Sequence, residues 1–250
     1  MDMSELARRG FGSGADRYHR ARPAYRPEVI AYLHGAVDLG PGREVLDLAA
    51  GTGRMTAELV ALGADVTAVE PSEAMRATFA RALPEVPLHI GSAEEIPFPA
   101  GSFDAVVVAQ AFHWFDGPAA LREIARVLRP GGGLVLLWNE RDESDAEALA
   151  LSAVTEWKEF QPYEVGRDFR TDLDASGRYL PAVRRDFRWT ETLAHRELTD
   201  RIATLSYVNA LPEAEHADFF ARLRTHLADR PDPMDIPYVT DTFVTHEHTA

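Results

Sequence analysis

Through the first 140 residues, short apolar blocks alternate with longer stretches in which apolar residues recur at helical spacing. Pro27–Asp38 predicts a helix with proline in its first turn, ending before Gly40-Pro41-Gly42. Arg43–Leu48 predicts a buried strand, and Arg54–Leu62 predicts a helix closed by Gly63. Ala64–Glu70 (ADVTAVE) reads as a second strand, followed by a helix over Ser72–Leu83 with Ser72 as its N-cap. Val86–Ile90 and Phe103–Ala109 (FDAVVVA) predict two further strands. A helix over Pro118–Leu128, a turn at Arg129–Gly133 and a strand over Leu134–Trp138 follow. Strands alternating with helices of this length predict βαβ units, hence a parallel sheet covered on both faces.

After about residue 140 the pattern changes. Ser144–Glu159 and Pro212–Ala228 read as amphipathic helices, whereas Asp186–Leu193 (DFRWTETL) and Tyr238–His246 (YVTDTFVTH) alternate like antiparallel strands. The expected architecture is α/β: a doubly wound, mostly parallel seven-stranded sheet with an antiparallel edge and a helical cap. One domain would span 1–250, with an N-terminal arm over 1–26, a core over 27–140, and cap insertions over 141–230 interleaved with the late strands 186–193 and 238–246.

Composition narrows the function classes. Hydrophobic residues at 46% supply an ordinary core, and the absence of cysteine excludes disulfides, iron–sulfur clusters and a cysteine nucleophile. A net charge of −14 argues against a duplex nucleic-acid partner. Charge is nevertheless local, because screening acts over about 8 Å. The arm carries a basic cluster of Arg8, Arg9, Arg17, Arg20, Arg22 and Arg26. With no run of about 18 apolar residues and no apolar leader, neither a membrane span nor secretion is expected, which points to the cytoplasm. Two histidines in the tail THEHTA lack an organised third ligand, so no metal site is expected.

The candidate chemistry begins at VLDLAAGTGRMT, residues 45–56. A dinucleotide turn needs G-x-G-x-x-G, and Thr56 occupies its third position; a phosphate-binding P-loop needs a lysine that does not follow here. What remains, Asp47-x-Ala49-x-Gly51-x-Gly53, resembles the first motif of the class I S-adenosylmethionine (SAM) methyltransferases, with Ala49 in place of a glycine. Glu70-Pro71-Ser72-Glu73-Ala74-Met75, Gly91-Ser92-Ala93-Glu94-Glu95-Ile96-Pro97-Phe98 and Arg129-Pro130-Gly131-Gly132 resemble later motifs of that family in order and spacing. The resemblance spans roughly residues 43–140 and implies a Rossmann-like fold with SAM as cofactor, S-adenosylhomocysteine as product, and a small-molecule acceptor.

The same resemblance places Asp47, Ala49, Gly51, Gly53, Glu70, Pro71, Met75, Ala93, Glu94 and Gln110 around the cofactor. Glu70 would accept hydrogen bonds from the ribose hydroxyls, Met75 would pack on adenine, and Gln110 would meet the amino-acid end. An acid at position 70 also fits NAD, and a SAM-binding enzyme that does not methylate would keep all these motifs. The stretch Gln110–Asp116, together with the arm Arg17–Tyr25 and Trp138–Asp142, resembles a subgroup near the trans-aconitate methyltransferases. It adds Tyr18 and Arg22 to the cofactor side and Trp114 and Arg141 to the substrate side. Tyr18, Trp114 and Phe115 are candidates for an aromatic wall near the sulfonium. His113 is the candidate catalytic residue, as general base, as a donor orienting substrate, or as a structural group. A carboxylate acceptor would need no base, and Arg22 or Arg141 would hold it.

Overall fold

The structure is a computed structural model that describes residues 15–155, 169–209 and 211–248. Arg8 and Arg9 of the arm and residues 156–159 of the expected helix lie outside them. The described strands are β1 (Glu44–Leu48), β2 (Asp65–Val69), β3 (Leu88–His89), β4 (Phe103–Ala109), β5 (Leu128–Arg141), β6 (Val183–Leu193) and β7 (Met234–His246). They form one seven-stranded sheet in the order β3-β2-β1-β4-β5-β7-β6. The first five pair in parallel, while β7 runs antiparallel to both β5 and β6.

Near-continuous apolar strands follow from burial on both faces. Leu46 and Leu48 of β1, Val106 and Val108 of β4, and Leu134 and Leu136 of β5 enter one core. That core is closed by Leu121 and Ile124 of α5 (Gly117–Val127). The alternate residues Val45, Val107, Val135 and Leu137 enter the opposite core, against α2 (Pro27–Val37) and α3 (Arg54–Ala61). Between β2 and β3 lies α4 (Glu73–Ala82), capped by the Ser72 hydroxyl, which accepts from Met75 N.

Several boundaries differ from the sequence reading: β6 and β7 begin earlier, at Val183 and Met234, and β5 runs on to Arg141. The expected turn Arg129–Gly133 falls inside β5: Leu128 stands opposite Phe103 of β4, Gly133 stands opposite Ala105 of β4 and His246 of β7, and Arg129–Gly132 form an irregularity in the ladder between them. Its glycines serve close approach, since a Cβ on Gly133 would lie 2.5 Å from Val37 of α2. Conversely, β3 shrinks to two residues, being held only by Ala68 and Val69 of β2.

The chain leaves β1 for β2 on one side and later places β4 on the other, so strand order reverses at β1. Such a reversal opens a crevice beyond the strand carboxyl ends. β7 overhangs this end: Arg141 at the close of β5 pairs with Tyr238, and Met234–Pro237 continue past it against β6. A third apolar cluster packs on the overhang. It joins Leu198 and Ile202 of α8 (His195–Ile202), Val208 of α9 (Ser206–Asn209) and Phe219 and Leu223 of α10 (Glu213–Leu227) to Trp189, Ile236 and Tyr238. Two further helices, α6 (Ala146–Val154) and α7 (Phe169–Ser176), follow β5. Short α1 (Ala15–Ala21) crosses from the core to this cluster. Asp16 accepts from Thr78 of α4, Arg17 pairs with Asp200 at 2.5 Å, and Arg201 Nε donates to Ala21 O at 2.6 Å. No described helix is long and apolar enough to cross a membrane.

Candidate active site

A cavity of 950 Å³ occupies the crevice, floored by the exits of β1, β2 and β4 and roofed by the arm and α8. Its shape begins with the turn after β1, where Ala49, Gly51 and Gly53 have φ of 59°, 58° and 86°. No atom lies within 4 Å of a Cβ built on Gly51, so the bare backbone faces open space. Gly53 is different. It is absent from the cavity lining, and a Cβ there would sit 2.7 Å from Leu83 and 2.9 Å from Phe79. Its missing side chain makes room for Phe79 and Leu83 on the α4 side. Ala49 holds a left-handed conformation that costs an L-residue about 1–2 kcal/mol. Because glycine also gains freedom in the unfolded chain, Ala49→Gly is expected to stabilise the ligand-free protein by under about 1 kcal/mol. Urea midpoints check it, and an unchanged or lower midpoint refutes the strain.

Glu70 closes β2 and is buried, 5% exposed. Its two oxygens accept from Gly51 N at 2.9 Å and Ser72 N at 2.7 Å, tying together the turns after β1 and β2. Burial pushes its pKa up, against those two hydrogen bonds and the nearby Arg76. Asp47 is deeper, 1% exposed. One of its oxygens accepts from Thr56 Oγ1 at 2.5 Å; the other, Oδ1, is buried with no hydrogen-bond partner. Burial pushes the Asp47 carboxyl up to about 7, opposed by the Thr56 hydroxyl and reinforced by the Glu70 charge.

Pro71, Met75, Ala93 and Glu94 form the wall beyond Glu70. Glu94 is partly committed, since its Oε1 accepts from Asp116 N at 2.9 Å. Gln110 lines the exit of β4 with φ of 62°, its N–H donating to Leu137 O. Such strain in a non-glycine residue concentrates at functional sites. Tyr18 and Arg22 enter from the arm, the guanidinium lying 4.7 Å from the Tyr18 ring centroid and Arg22 Nε buried without a hydrogen-bond partner. The arm rests on the glycine turn: His19 Nδ1 meets Thr52 Oγ1 at 3.0 Å, and Arg54 Nη1 donates to His19 O. Trp114, Phe115 and Arg141 complete the opposite side. Arg141 donates to Thr155 Oγ1 at 2.9 Å; burial pulls its pKa down, and the neighbouring Arg22 charge acts in the same direction.

Residues 46–136 match the family described as methyltransferase domain. An uncharacterized methyltransferase of Mycobacterium tuberculosis is 40% identical over 238 residues, 92% of each chain. The chain belongs to the class I SAM-dependent methyltransferases. A demethylmenaquinone methyltransferase of Mycolicibacterium paratuberculosis is 43% identical over 124 residues, 49% of each chain. Among solved structures, phosphoethanolamine N-methyltransferase 2 of Haemonchus contortus, in complex with phosphomonomethylethanolamine and S-adenosylhomocysteine, shares the fold with a TM-score of 0.59 at 16% identity. That match covers 94% of this chain and 57% of the other.

The cavity of this methyltransferase fits SAM. Gly51 with its bare backbone, Glu70 beside it and Asp47, whose buried Oδ1 has no hydrogen-bond partner, line one cavity, a donor-accepting set that suits a ligand rich in hydroxyl and amino groups. His113 does not fit the general-base expectation. It is absent from the lining, and its Nδ1 accepts the Trp138 indole N–H at 3.2 Å. A neutral imidazole has one lone pair; with that pair on Trp138, none remains to take a proton. Burial and the Arg22 charge pull the ring down to about 4, which keeps it neutral.

Arg201, Leu198, Ile202, Leu205 and Tyr238 also line the methyltransferase cavity and were not singled out in the sequence. Arg201 left no motif, for its partners Glu191, Ala21 and Tyr238 lie 10, 180 and 37 positions away.

Proposed function

We propose that this methyltransferase acts on the carboxylate of a small molecule, forming a methyl ester, in keeping with its resemblance to the trans-aconitate subgroup. The observation that carries the reading is Arg22 and Arg141 at one cavity whose neighbouring histidine has its lone pair engaged. Cations without a free imidazole suit a nucleophile that is already ionised. Bound SAM supplies an electrophilic methyl group on a sulfonium, with a neutral thioether as leaving group. The acceptor oxygen forms the new O–CH3 bond while the pair of the broken C–S bond stays on sulfur, and no proton moves. The work left to the protein is alignment and exclusion of water.

In this reading Glu70 takes the ribose hydroxyls, Asp47 the amino group, and Gly51 and Ala49 leave room for the donor's tail. Pro71, Met75, Ala93 and Glu94 enclose the adenine, Gln110 and Tyr18 flank the methionine end, and Trp114 and Phe115 wall the sulfonium. Arg22 serves between the two ligands. His113 acts as a positioning group that holds Trp138. A quinone-type acceptor, as in the demethylmenaquinone relative, is the second reading; that likeness covers half of each chain.

The test is incubation of the enzyme and SAM with a panel of acids, phenols and amines, followed by product mass. Methyl esters support the reading, while methylation of phenols or amines alone removes it. Arg141→Gln is expected to raise the acceptor KM at least tenfold and leave S-adenosylhomocysteine affinity within twofold, by calorimetry. An unchanged KM takes Arg141 out of acceptor binding.

A further inference from the structure

We infer that the acceptor is an amphiphile: one carboxylate on an apolar body, the body lying along α8. The inference rests on the carboxylate reading above and specifies its substrate class. The volume of 950 Å³ stands at the top of the roughly 300–1,000 Å³ usual for a pocket holding one drug-sized ligand, which leaves space beyond the donor. That space is bounded by Leu198, Ile202 and Leu205 and by the Tyr238 ring. Tyr238 stands directly opposite Arg141 in the β5–β7 ladder, so the apolar limb begins next to the cation.

The described charges at this end are nearly balanced. Arg22 and Arg141 line it together with Glu140. Arg201 is already answered by both oxygens of Glu191, at 2.5 and 2.9 Å, and its Nη1 also donates to Tyr238 Oη. Glu143, beside Arg141, adds further negative charge. A dicarboxylate or tricarboxylate would bring further anions to an end where carboxylates already stand beside the described cations Arg141 and Arg201, and it would strip water from those anions against leucine and isoleucine. An alkyl or aryl body gains there instead.

The experiment is calorimetry of the S-adenosylhomocysteine-loaded enzyme with linear monocarboxylates from acetate to dodecanoate, with glutarate as the doubly charged probe. Affinity is expected to tighten about two- to fourfold per added methylene until the limb is full, and glutarate is expected to bind more weakly than hexanoate. Leu205→Ala and Ile202→Ala should flatten the chain-length slope while S-adenosylhomocysteine affinity stays constant. Flat affinity across the wild-type series, or glutarate binding as tightly as hexanoate, overturns the amphiphile inference and leaves the carboxylate reading intact when Arg141→Gln still abolishes binding. No binding by any acid, with S-adenosylhomocysteine bound normally, removes both.

Discussion

Glu70→Gln is expected to weaken S-adenosylhomocysteine binding about a hundredfold. Two charge-assisted hydrogen bonds to ribose hydroxyls are worth about 3 kcal/mol or more before ordering costs, and a hundredfold corresponds to about 2.7 kcal/mol. The structure adds a reason beyond the ligand. The Glu70 oxygens also accept from Gly51 N and Ser72 N, so the carboxylate shapes the glycine turn that lines the cavity. A glutamine presents one acceptor oxygen and one amide group to two backbone donors, and one of those contacts must break. Some loss of ligand-free stability is therefore expected as well, on the order of 1–2 kcal/mol. Calorimetric titration measures the first effect and urea unfolding the second. Wild-type affinity in the variant would refute the ribose assignment.

Asp47→Asn is expected to change how stability depends on pH. In the unfolded chain this carboxyl ionises near 3.8, whereas in the fold it keeps its proton up to about 7. Between those values the unfolded chain releases a proton that the folded chain retains. The Asp47 contribution is thus fully present below about pH 4 and is lost as pH rises toward 7, on the order of 4 kcal/mol for ligand-free enzyme. His113 works in the opposite sense. Its folded pKa of about 4 lies below the ordinary 6.5, so stability is lost as pH falls from 6.5 toward 4. The wild-type profile mixes the two, but the difference between variant and wild type isolates Asp47. Urea unfolding at pH 4.5 and pH 8 should show Asp47→Asn gaining on wild type by a few kcal/mol at the higher pH. An equal difference at both pH values would mean that the carboxyl ionises normally in the fold. The variant should also bind S-adenosylhomocysteine more weakly, since Oδ1 then lacks the charge that suits an amino group.

Much of the cavity lining at the exits of β1 and β2 was legible in the chain because contiguous backbone carries it. Asp47, Gly51 and Glu70 belong to two strand-to-turn segments separated by a single helix, and parallel pairing of β1 with β2 brings them together with little freedom. Gly53 shows the limit of such reading. A glycine in the motif signals that no side chain is tolerated, not what occupies the space, and here Phe79 and Leu83 occupy it. His113 shows the same limit for chemistry. A histidine beside a tryptophan after β4 reads equally as a base, an orienting donor or a structural group until Trp138, 25 positions on, takes its lone pair.

The alternation of apolar strands and helices by itself determined a doubly wound parallel sheet and the place of the crevice, and the resemblance of its turn motifs to the class I methyltransferases named the donor. Those properties depend on local period and on a turn whose residues adjoin one another. Tertiary structure decided the far end of the cavity, beyond Arg141. There the long overhang of β7, the docking of α8 and the arm tied to it by Arg201 join residues far apart in the chain. Burial and ion pairing, which set the charge and ionisation of those groups, exist only once distant segments have excluded water between them.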